Sequence, residues 1–362
     1  IAKVTQDDIA LILYTSGTTG KPKGALLSHG NLINNCVQGE AWLPNMDTTE
    51  QRFLAALPLF HAYGMTTLCV LSIYFGAELI LVPSPQMPLI MDLMKKHTPT
   101  WVPGVPTLYE RIVAKAEEND VSLDGVRAAF SGASTLPVET VEKWEKYTGG
   151  MLVEGYGLTE TSPVLTINPL DDFRRAGTIG LPLPDTQLRI GDPHDLSRTQ
   201  PDGEAGEILA RGPQVFSGYL ADAPATAAAF HEGWFRTGDM GVREPDGHIR
   251  LVGRIKEIII TGGFNVYPGE VEEALTSHPD IAQAAVVGTP RSDGSEDVAA
   301  CVVLAPGARV DEAALREHCR GLLARYKVPQ RFFAMDKLAG DQLGKLRRRD
   351  VRRDLLASLH SD

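Results

Sequence analysis

Residues 14–24 read YTSGTTGKPKG, and the interpretation of the whole chain starts from this stretch. Its glycines let backbone N–H groups approach an anion closely, while its hydroxyl groups and lysines add donors and positive charge. This combination suits a polyphosphate. The spacing differs from the Walker A motif, because Gly17 and Gly20 are three positions apart and Lys21 is followed by Pro22. The motif therefore predicts a phosphate-binding loop outside the P-loop kinase class.

The composition is that of an ordinary globular protein. The chain has 362 residues, of which 43% are hydrophobic and 22% are charged, so it can bury a sizeable core in two or three domains. A formal net charge of -11 argues against a broad basic surface for nucleic acid. The four cysteines form no C-x-x-C pair, which indicates reduced thiols and a cytoplasmic location.

The longest apolar run covers residues 68–82. It is interrupted by Gly76 and Glu78 and is shorter than the roughly 20 residues that a membrane-spanning helix needs. It predicts a buried helix, a turn and a buried strand instead. The chain begins with Ile1 rather than Met and reaches the glycine-rich motif almost at once, so we expect an upstream portion to be missing.

Three regions of different texture follow one another along the chain. Residues 8–14 predict a buried strand, and strand-like and helical runs then alternate within 1–173, which favours an α/β fold with a mainly parallel sheet. Residues 174–253 contain short β-like runs separated by Gly, Pro and Asp, and predict a β-rich subdomain. Residues 254–362 predict a smaller, compact α+β domain with a helix over 311–326.

The glycine-rich motif resembles the phosphate-binding signature of the acyl-adenylate-forming (AMP-binding) superfamily. Further motifs agree with that family in identity and order, namely LPLFHAYG (57–64), SGAS (131–134), VEGYGLTET (153–161), GWFRTGD (233–239), VGRIKE (252–257), TGGFNVYPGE (261–270) and LGK (343–345). The GFNVYP form is most similar to fatty-acyl-CoA synthetases. The resemblance implies a partial large adenylate-forming domain, made of the first two regions, followed by a mobile C-terminal domain.

The resemblance assigns ATP and Mg²⁺ to particular residues. The implied nucleotide contacts come from the phosphate loop (Thr15, Ser16, Gly17, Thr18, Thr19, Gly20, Lys21 and Lys23), the adenine site (Gly132, Ala133, Tyr156 and Gly157) and the ribose and phosphate site (Asp239 and Arg254). Thr159 is implied to touch phosphate and Glu160 to hold Mg²⁺, an ion that takes few protein carboxylates together with phosphate oxygens and water. Residues 131–134 also fit a helix N-terminus capped by Ser134.

A second set of residues is implied to handle the acyl group and the thiol. His61 is similar to the residue that lies where the acyl pocket meets the pantetheine tunnel, and Lys256 to the residue at the domain hinge. Gly262 and Gly263 are small enough to admit the pantetheine arm of CoA. Lys345 is similar to the catalytic lysine of the C-terminal domain, although the AGDQ lead-in before Leu343 departs from the family pattern.

The implied reaction is AMP-forming ligation. A carboxylate attacks the α-phosphorus of ATP, and the thiol of CoA then attacks the acyl-adenylate. Residues 57–65 contain no carboxylate that could pair an ammonium group, which argues against an amino acid substrate. We therefore expect a fatty-acyl-CoA synthetase that uses ATP, Mg²⁺ and CoA.

Three alternatives stay open: an acyl-AMP ligase that loads a carrier protein, a luciferase-like oxygenase, and an inactive nucleotide-binding fragment. Peripheral contact with a membrane and the oligomeric state also stay open. The basic run 345–353 (KLRRRDVRR) predicts the solvated face of a terminal helix, with binding of CoA phosphates or of an acidic partner as the alternative.

Overall fold

The computed structural model describes residues 3–15, 22–43, 50–291, 296–309, 311–340 and 346–359. Its strands, in chain order, are β1 (Ile9–Thr15), β2 (Lys23–Ser28), β3 (Arg52–Ala55), β4 (Glu78–Leu81), β5 (Trp101–Gly104), β6 (Ala128–Ser131), β7 (Met151–Gly157), β8 (Val164–Ile167), β9 (Leu181–Pro182), β10 (Gln187–Asp192), β11 (Asp195–Thr199), β12 (Ala205–Arg211), β13 (Gly218–Tyr219), β14 (Phe230–His231), β15 (Trp234–Arg243), β16 (Ile249–Arg254), β17 (Ile259–Thr261), β18 (Phe264–Val266), β19 (Ile281–Pro290), β20 (Glu296–Leu304) and β21 (Arg331–Ala334).

The helices are fewer and mostly short. They are α1 (His29–Trp42), α2 (Ala62–Gly64), α3 (Leu71–Phe75), α4 (Met87–His97), α5 (Pro106–Glu118), α6 (Val138–Thr148), α7 (Ala223–Ala228), α8 (Pro268–Thr276), α9 (Glu312–Leu322) and α10 (Arg348–Leu359), with a π-helical turn at Met65–Val70 and 3-10 turns at Thr159–Thr161, Ile255–Glu257 and Arg325–Lys327. Within the described residues, no helix has the length and apolar character needed to cross a membrane.

The chain divides into two compact units. One comprises Ile1–Thr237 and Val242–Arg250, and the other comprises Gly238–Gly241 and Leu251–Asp362. The predicted limit at 253 lies close to this division, and the predicted limit at 173, which separates two parts of the large domain, lies within the first unit. Strands from both sides of residue 173 share sheets, since β13 pairs with β2 and β9 extends the sheet that contains β3. Strand pairing therefore crosses residue 173, where the residue composition of the sequence changes.

A seven-stranded sheet with the order β4-β3-β5-β6-β7-β8-β9 is the framework of the first unit. Strands β4, β3, β5, β6 and β7 pair in parallel, and β8 and β9 add antiparallel pairs. Helices α4, α5 and α6 connect the parallel strands, and the buried rings of Tyr109 on α5 and Trp144 on α6 meet edge to face at 5.0 Å. The predicted mainly parallel α/β fold is confirmed.

The prediction that β1 and β4 are buried strands is wrong, because both lie at sheet edges. β1 is at the edge of a three-stranded sheet with the order β1-β2-β13, and its Ile9 and Ile12 are exposed. β4 is at the edge of the seven-stranded sheet, and Leu81 is 57% exposed. The helix expected before β4 is also exposed at Ile73 and begins with the π-helical turn. An apolar run indicates a strand but does not tell an edge strand from a central one.

Several strands were not predicted, and β2 and β5 show why. β2 follows the glycine-rich motif directly, where the loop chemistry dominates the local pattern. β5 contains Pro103, and proline argues against a central strand because it cannot donate to the ladder. β5 is nevertheless central, because it lies between β3 and β6 and pairs with both. Its pair with β3 is Phe53 with Trp101, before the chain reaches Pro103.

The second unit has its own core around the sheet β19-β20-β21. Alternate residues of β19 and β20 face two separate apolar clusters. One cluster contains Val286 and Val302 with Leu275 of α8 and Leu315 of α9, and the other contains Val287 and Cys301 with Val351 and Leu355 of α10. Helices therefore cover both faces of this sheet. The predicted helix over 311–326 is wrong beyond Leu322, because the chain turns there and brings Val328 into the first cluster.

Candidate active site

The predicted phosphate loop joins β1 to β2. Thr15 and Lys23 face each other in the last pair of this antiparallel hairpin, so they flank the loop on either side. Ser16, Gly17, Thr18, Thr19, Gly20 and Lys21 lie outside the described residues. The ammonium group of Lys23 lies 5.0 Å from the ring centroid of Tyr219, a cation–π distance.

The predicted adenine and magnesium residues follow one another at the carboxyl end of β7. Tyr156 packs against an apolar cluster that contains Leu165 and Phe216. Gly157 is required, because a Cβ there would lie 1.8 Å from the carbonyl oxygen of Pro163. Thr159 and Glu160 then begin a 3-10 turn. Ligands of open α/β sheets bind outside the carboxyl ends of the strands, and this is where the motif lies.

A segment that the sequence analysis did not select holds this turn in place. We call residues 213–219 the strap. The backbone N–H of Phe216 donates to the carbonyl of Glu160 at 2.8 Å, and Ser162 Oγ donates to the carbonyl of Gln214 at 2.9 Å. The hydroxyl of Tyr219 donates to Glu160 Oε1 at 2.8 Å. Burial, together with the charge of Glu160, raises the pKa of Tyr219, which keeps its hydroxyl protonated.

The strap is also tied to the start of α1. Ser28 caps this helix, with Ser28 Oγ accepting from the N–H of Asn31 and Asn31 Oδ1 accepting from the N–H of Ser28. The amide Nδ2 of Asn31 donates to the carbonyls of Pro213 at 2.8 Å and Val215 at 3.0 Å. One side chain therefore connects the strand that leaves the phosphate loop to the strap.

The motifs at 57–64 and 131–134 lie side by side. His61 Nδ1 accepts a hydrogen bond from the N–H of Tyr63 at 3.2 Å, and the hydroxyl of Tyr63 donates to the carbonyl of Phe130. A Cβ on Gly132 would lie 3.1 Å from Cε1 of Tyr63, so the glycine allows this close approach. The structure thus brings predicted residues of the acyl and adenine sites together through Tyr63, which was not predicted.

The loop after β6 is not a helix N-terminus. Helix α6 begins at Val138 with Pro137 as its N-cap, so the alternative in which Ser134 caps a helix is wrong. Ala133 has a φ of +69°, a left-handed conformation that a residue with a Cβ rarely adopts. Such strained positions persist where the surroundings fix them, often at ligand sites.

Glu154 lies directly before Gly155 in β7, and its carboxyl group is buried. Burial raises its pKa from 4.5 to about 8, although the backbone N–H of Leu136 donates to it. Its Oε2 has no hydrogen-bond partner among the described residues and borders a small cavity lined by Asn168 and Arg174. Burial therefore favours the neutral form of this carboxyl group, a property that its position in the motif did not predict.

The remaining predicted residues belong to the second unit. Arg254 Nε lies 3.0 Å from Asp239 Oδ1, so the structure joins the two predicted ribose-site residues. Lys256 is exposed and lies in the 3-10 turn Ile255–Glu257. Gly262 and Gly263 form the two-residue turn between β17 and β18 with φ values of +56° and +81°, as a type I′ turn requires.

The predicted catalytic Lys345 lies outside the described residues. Leu346, the next residue, forms an antiparallel β-bridge with Gly340. Arg348 makes ion pairs with Glu257 at 2.6 Å and with Glu272 at 2.5 Å. The prediction of a solvated basic face over 345–353 is wrong for Arg348, because α10 turns this residue towards the two carboxylates.

The carboxylate chemistry fits Mg²⁺ carried by a nucleotide better than a resident metal. Among the described residues, no group of three or more His, Cys, Asp or Glu side chains could hold a metal ion. Glu160 supplies one carboxylate beside the hydroxyl-bearing Thr159. Mg²⁺ is characteristically bound by one or two carboxylates, with substrate phosphates and water completing its octahedron.

Comparison with known proteins assigns the family. The model of the AMP-binding enzyme family matches residues 1–220, and that of the AMP-binding enzyme C-terminal domain matches residues 270–345. The chain belongs to the AMP-binding enzyme family. The resemblance drawn from the motifs is thereby confirmed, and the two matches cover parts of both compact units.

Proteins similar to this chain include a fatty-acid ligase, MatB and a coenzyme A synthetase. The chain is 41% identical to a long-chain-fatty-acid–CoA ligase of Bacillus subtilis over 95% of its own length, but spans only 61% of that ligase. The structure of ATP-bound MatB from Rhodopseudomonas palustris is similar to this chain, with a TM-score of 0.90 and 35% identity. The match covers 97% of this chain and 69% of the MatB chain. O-succinylbenzoate coenzyme A synthetase of Bacillus subtilis, in complex with ATP and magnesium ion, matches with a TM-score of 0.86 and 31% identity over 96% of this chain and 70% of its own.

Proposed function

We propose that this chain carries the nucleotide-binding and thioester-forming machinery of an AMP-forming acyl-CoA ligase that activates fatty acids. The observation that carries the proposal is the assembly of Lys23, Tyr219 and Glu160, which puts a cation from the phosphate loop and a carboxylate from the β7 motif on one tyrosine. The family match and the ATP-bound relatives support this function.

In the first half-reaction, a fatty acid carboxylate oxygen attacks the α-phosphorus of ATP. The bond to pyrophosphate breaks, and an acyl-adenylate remains. Two anions meet in this step, so it needs positive charge and in-line positioning. Lys23 and the phosphate loop would bind the phosphates, Tyr156 would stack on the adenine, and Asp239 would accept hydrogen bonds from the ribose. Glu160 would hold Mg²⁺, which neutralises phosphate charge when bound.

In the second half-reaction, the thiol of CoA loses its proton and attacks the acyl carbonyl, and AMP leaves. We propose Lys345 for the first half-reaction, and Lys256, Gly262, Gly263 and His61 for the change to the second. The type I′ turn at Gly262 and Gly263 supports this, because a Cβ at either glycine would meet open space. Apart from the adjacent residues, no described atom lies within 4 Å of such a Cβ, so the tip of the hairpin leaves room for a narrow arm.

Two observations support fatty acids as the acyl class. Residues 57–65 carry no carboxylate for an amino acid substrate, and the Bacillus relative is a long-chain-fatty-acid–CoA ligase. An aryl acid is the alternative substrate class, since the relative crystallised with ATP and magnesium acts on o-succinylbenzoate.

The test is a product analysis by mass spectrometry. The chain is incubated with Mg-ATP, CoA and fatty acids of graded length, and in parallel with aryl acids. Acyl-CoA with an optimum chain length supports the proposal. Acyl-AMP without acyl-CoA would indicate a carrier protein as the acceptor, and an aryl-CoA product would move the substrate class. ATP binding without either product would reduce the chain to a nucleotide-binding module.

The Lys345→Ala variant separates the two halves. We expect adenylation to fall by about 100-fold or more, as for the loss of a charge that stabilises the transition state, while thioester formation from supplied acyl-adenylate is retained. Lys337→Ala is the matched control, because Lys337 is an exposed lysine of the same unit. Equal damage to both half-reactions would contradict the role proposed for Lys345.

A further inference from the structure

Tyr219 occupies a position that links two predicted parts of the nucleotide site. Its hydroxyl donates to Glu160 Oε1 at 2.8 Å, and its ring lies 5.0 Å from the ammonium group of Lys23. Glu160 is only 8% exposed, so little water competes for its carboxylate. The hydrogen bond is charge-assisted, the class that is shorter and stronger than bonds between neutral groups.

The strap does not need this hydroxyl to keep its place. Its backbone is fixed by the ladder pairs of Gly218 with Leu26 and of Tyr219 with Ala25, and by the bond from the N–H of Tyr219 to Thr226 Oγ1 at 2.9 Å. The ring of Tyr219 meets Phe216 edge to face at 4.9 Å. Removing the oxygen alone would therefore leave the ring, the strap and the cation–π contact where they are.

The hydroxyl thus has a task that packing does not explain. The backbone of Glu160 is already held through its carbonyl, which accepts from the N–H of Phe216. The remaining freedom of this residue is rotation of the side chain and of its carboxylate plane. A donor fixed at Oε1 removes that freedom and selects one orientation of the carboxylate. Groups that orient a metal-binding side chain typically change metal affinity by about 10- to 100-fold when they are lost.

We propose that Tyr219 is a positioning residue, whose hydroxyl fixes the Glu160 carboxylate in the orientation that receives the Mg²⁺ of Mg-ATP. This inference rests on the proposed function, since it takes Glu160 as the carboxylate that holds the ion. It assigns the strap, which the sequence motifs did not select, to the metal site rather than to the core alone.

The test compares the affinity for ATP with and without the metal. Calorimetry measures the Kd of ATP in Mg²⁺ and in EDTA for the wild type and for Tyr219→Phe. We expect the variant to bind Mg-ATP about tenfold more weakly and metal-free ATP as the wild type does. Tyr147→Phe is the matched control, because that hydroxyl donates to the carbonyl of Val121 at 2.9 Å in the same unit.

A double-mutant cycle tests whether Tyr219 acts through Glu160. In the Glu160→Gln background, the further change Tyr219→Phe is expected to cause no additional loss of Mg-ATP affinity. In adenylation assays, the Mg²⁺ concentration for half-maximal rate should rise with Tyr219→Phe, and the rate at saturating Mg²⁺ should change less. Additive losses in the cycle would overturn the inference.

The other outcomes are equally distinct. If Tyr219→Phe binds Mg-ATP as the wild type does, or if both Kd values rise in parallel, the hydroxyl has a structural role only and the inference fails while the proposed function stands. If the wild type binds ATP neither with Mg²⁺ nor with EDTA, the proposed function fails, and the positioning role fails with it.

Discussion

In the first unit, side chains from α1 reach across the core as uncharged amides. Asn35 Nδ2 donates to the carbonyl of Val164 at 2.9 Å, and the N–H of Val164 donates back to Asn35 Oδ1 at 3.1 Å. Gln38 Nε2 donates to the carbonyl of Pro184 at 2.7 Å and to Gln214 Oε1 at 3.2 Å. These amides connect α1 to β8 and to the strap.

In the second unit, the corresponding connection is ionic. Arg348 Nε donates to Glu272 Oε1 at 2.7 Å, and Arg348 Nη1 donates to Glu257 Oε2 at 2.6 Å. Glu272 Oε1 also accepts from the N–H of Val286. Burial disfavours the charged guanidinium, but the two carboxylates outweigh it and raise the pKa of Arg348. This cluster connects α10 to α8 and to the turn that contains Lys256.

The two kinds of connection respond differently to pH, to salt and to the loss of a partner. A satisfied amide network carries no net charge, so its strength is nearly independent of pH and salt. A partly buried ion cluster such as this one requires every partner, because the removal of one leaves a charge that is neither paired nor fully hydrated. Glu154 in the first unit differs from these amides, because it is a buried titratable group whose pKa is raised by burial.

The largest expected effect is the loss of the cation in the second unit. Arg348→Met should lower the free energy of unfolding of that unit by about 3–5 kcal/mol, because Glu257 and Glu272 lose their partner. Hydrogen exchange of the β19 and β20 amides measures this directly. Tryptophan fluorescence should not respond, since all four tryptophans, at 42, 101, 144 and 234, are in the first unit.

The control for this change is Arg353→Met, whose side chain is 66% exposed and pairs with Asp350 and Asp354 at the surface. Exposed ion pairs contribute about 0–1 kcal/mol. Similar hydrogen exchange in the two variants would contradict the structural role assigned to the Arg348 cluster.

Glu154→Gln tests how the buried carboxyl group makes the stability of the first unit depend on pH. Between pH 4.5 and about 8 the folded state keeps the proton on Glu154, whereas the unfolded state has lost it. The unfolded state binds fewer protons there, so the stability of the wild type falls as the pH rises through this range. The glutamine variant lacks this dependence and should be more stable at pH 9 by on the order of 3 kcal/mol, with the difference fading towards pH 5.

Urea unfolding followed by tryptophan fluorescence at pH 5, 7 and 9 measures this change. Glu142→Gln is the matched control, because Glu142 is an exposed carboxylate on α6. A constant difference between Glu154→Gln and the wild type at all three pH values would show that the carboxyl group does not titrate in this range.

The smallest expected effect is in the amide network. Gln38→Leu leaves the carbonyl of Pro184 and Gln214 Oε1 without this donor, and unmet buried groups cost about 1–3 kcal/mol. The loss in unfolding free energy should be the same at pH 5 and pH 9, in contrast to the effect at Glu154. Gln86→Leu, an exposed glutamine of the same unit, serves as the control. A pH-dependent loss at Gln38 would mean that the network is coupled to a titrating group.

Motif residues were predictable from the sequence because their chemistry is local. Gly157 permits a close approach that a Cβ would block, and Gly263 adopts a positive φ that residues with a Cβ rarely adopt. The alternation of strands and helices likewise predicted the parallel sheet. The nucleotide, metal and acyl-transfer roles of the motif residues, including Lys256 and Lys345, remain predictions.

What could not be predicted depends on partners distant in the chain. Tyr219 lies in a two-residue strand, too short for a periodic pattern, and meets Glu160 only when the strap folds over the β7 motif. The raised pKa of Glu154 depends on burial, which the motif does not encode. Edge positions of β1 and β4 follow from the order of strands in a sheet, which a single sequence leaves undetermined.

The amide of Asn31 limits which sequences this fold tolerates. Its oxygen caps α1 by accepting from Ser28, while its nitrogen donates to the carbonyls of Pro213 and Val215. Aspartate has the same shape and could accept from the N–H of Ser28 in the same way, yet it would face two carbonyl oxygens with a carboxylate and no donor. In a saturation library, the substitution most conservative in shape should therefore rank among the least tolerated at this position.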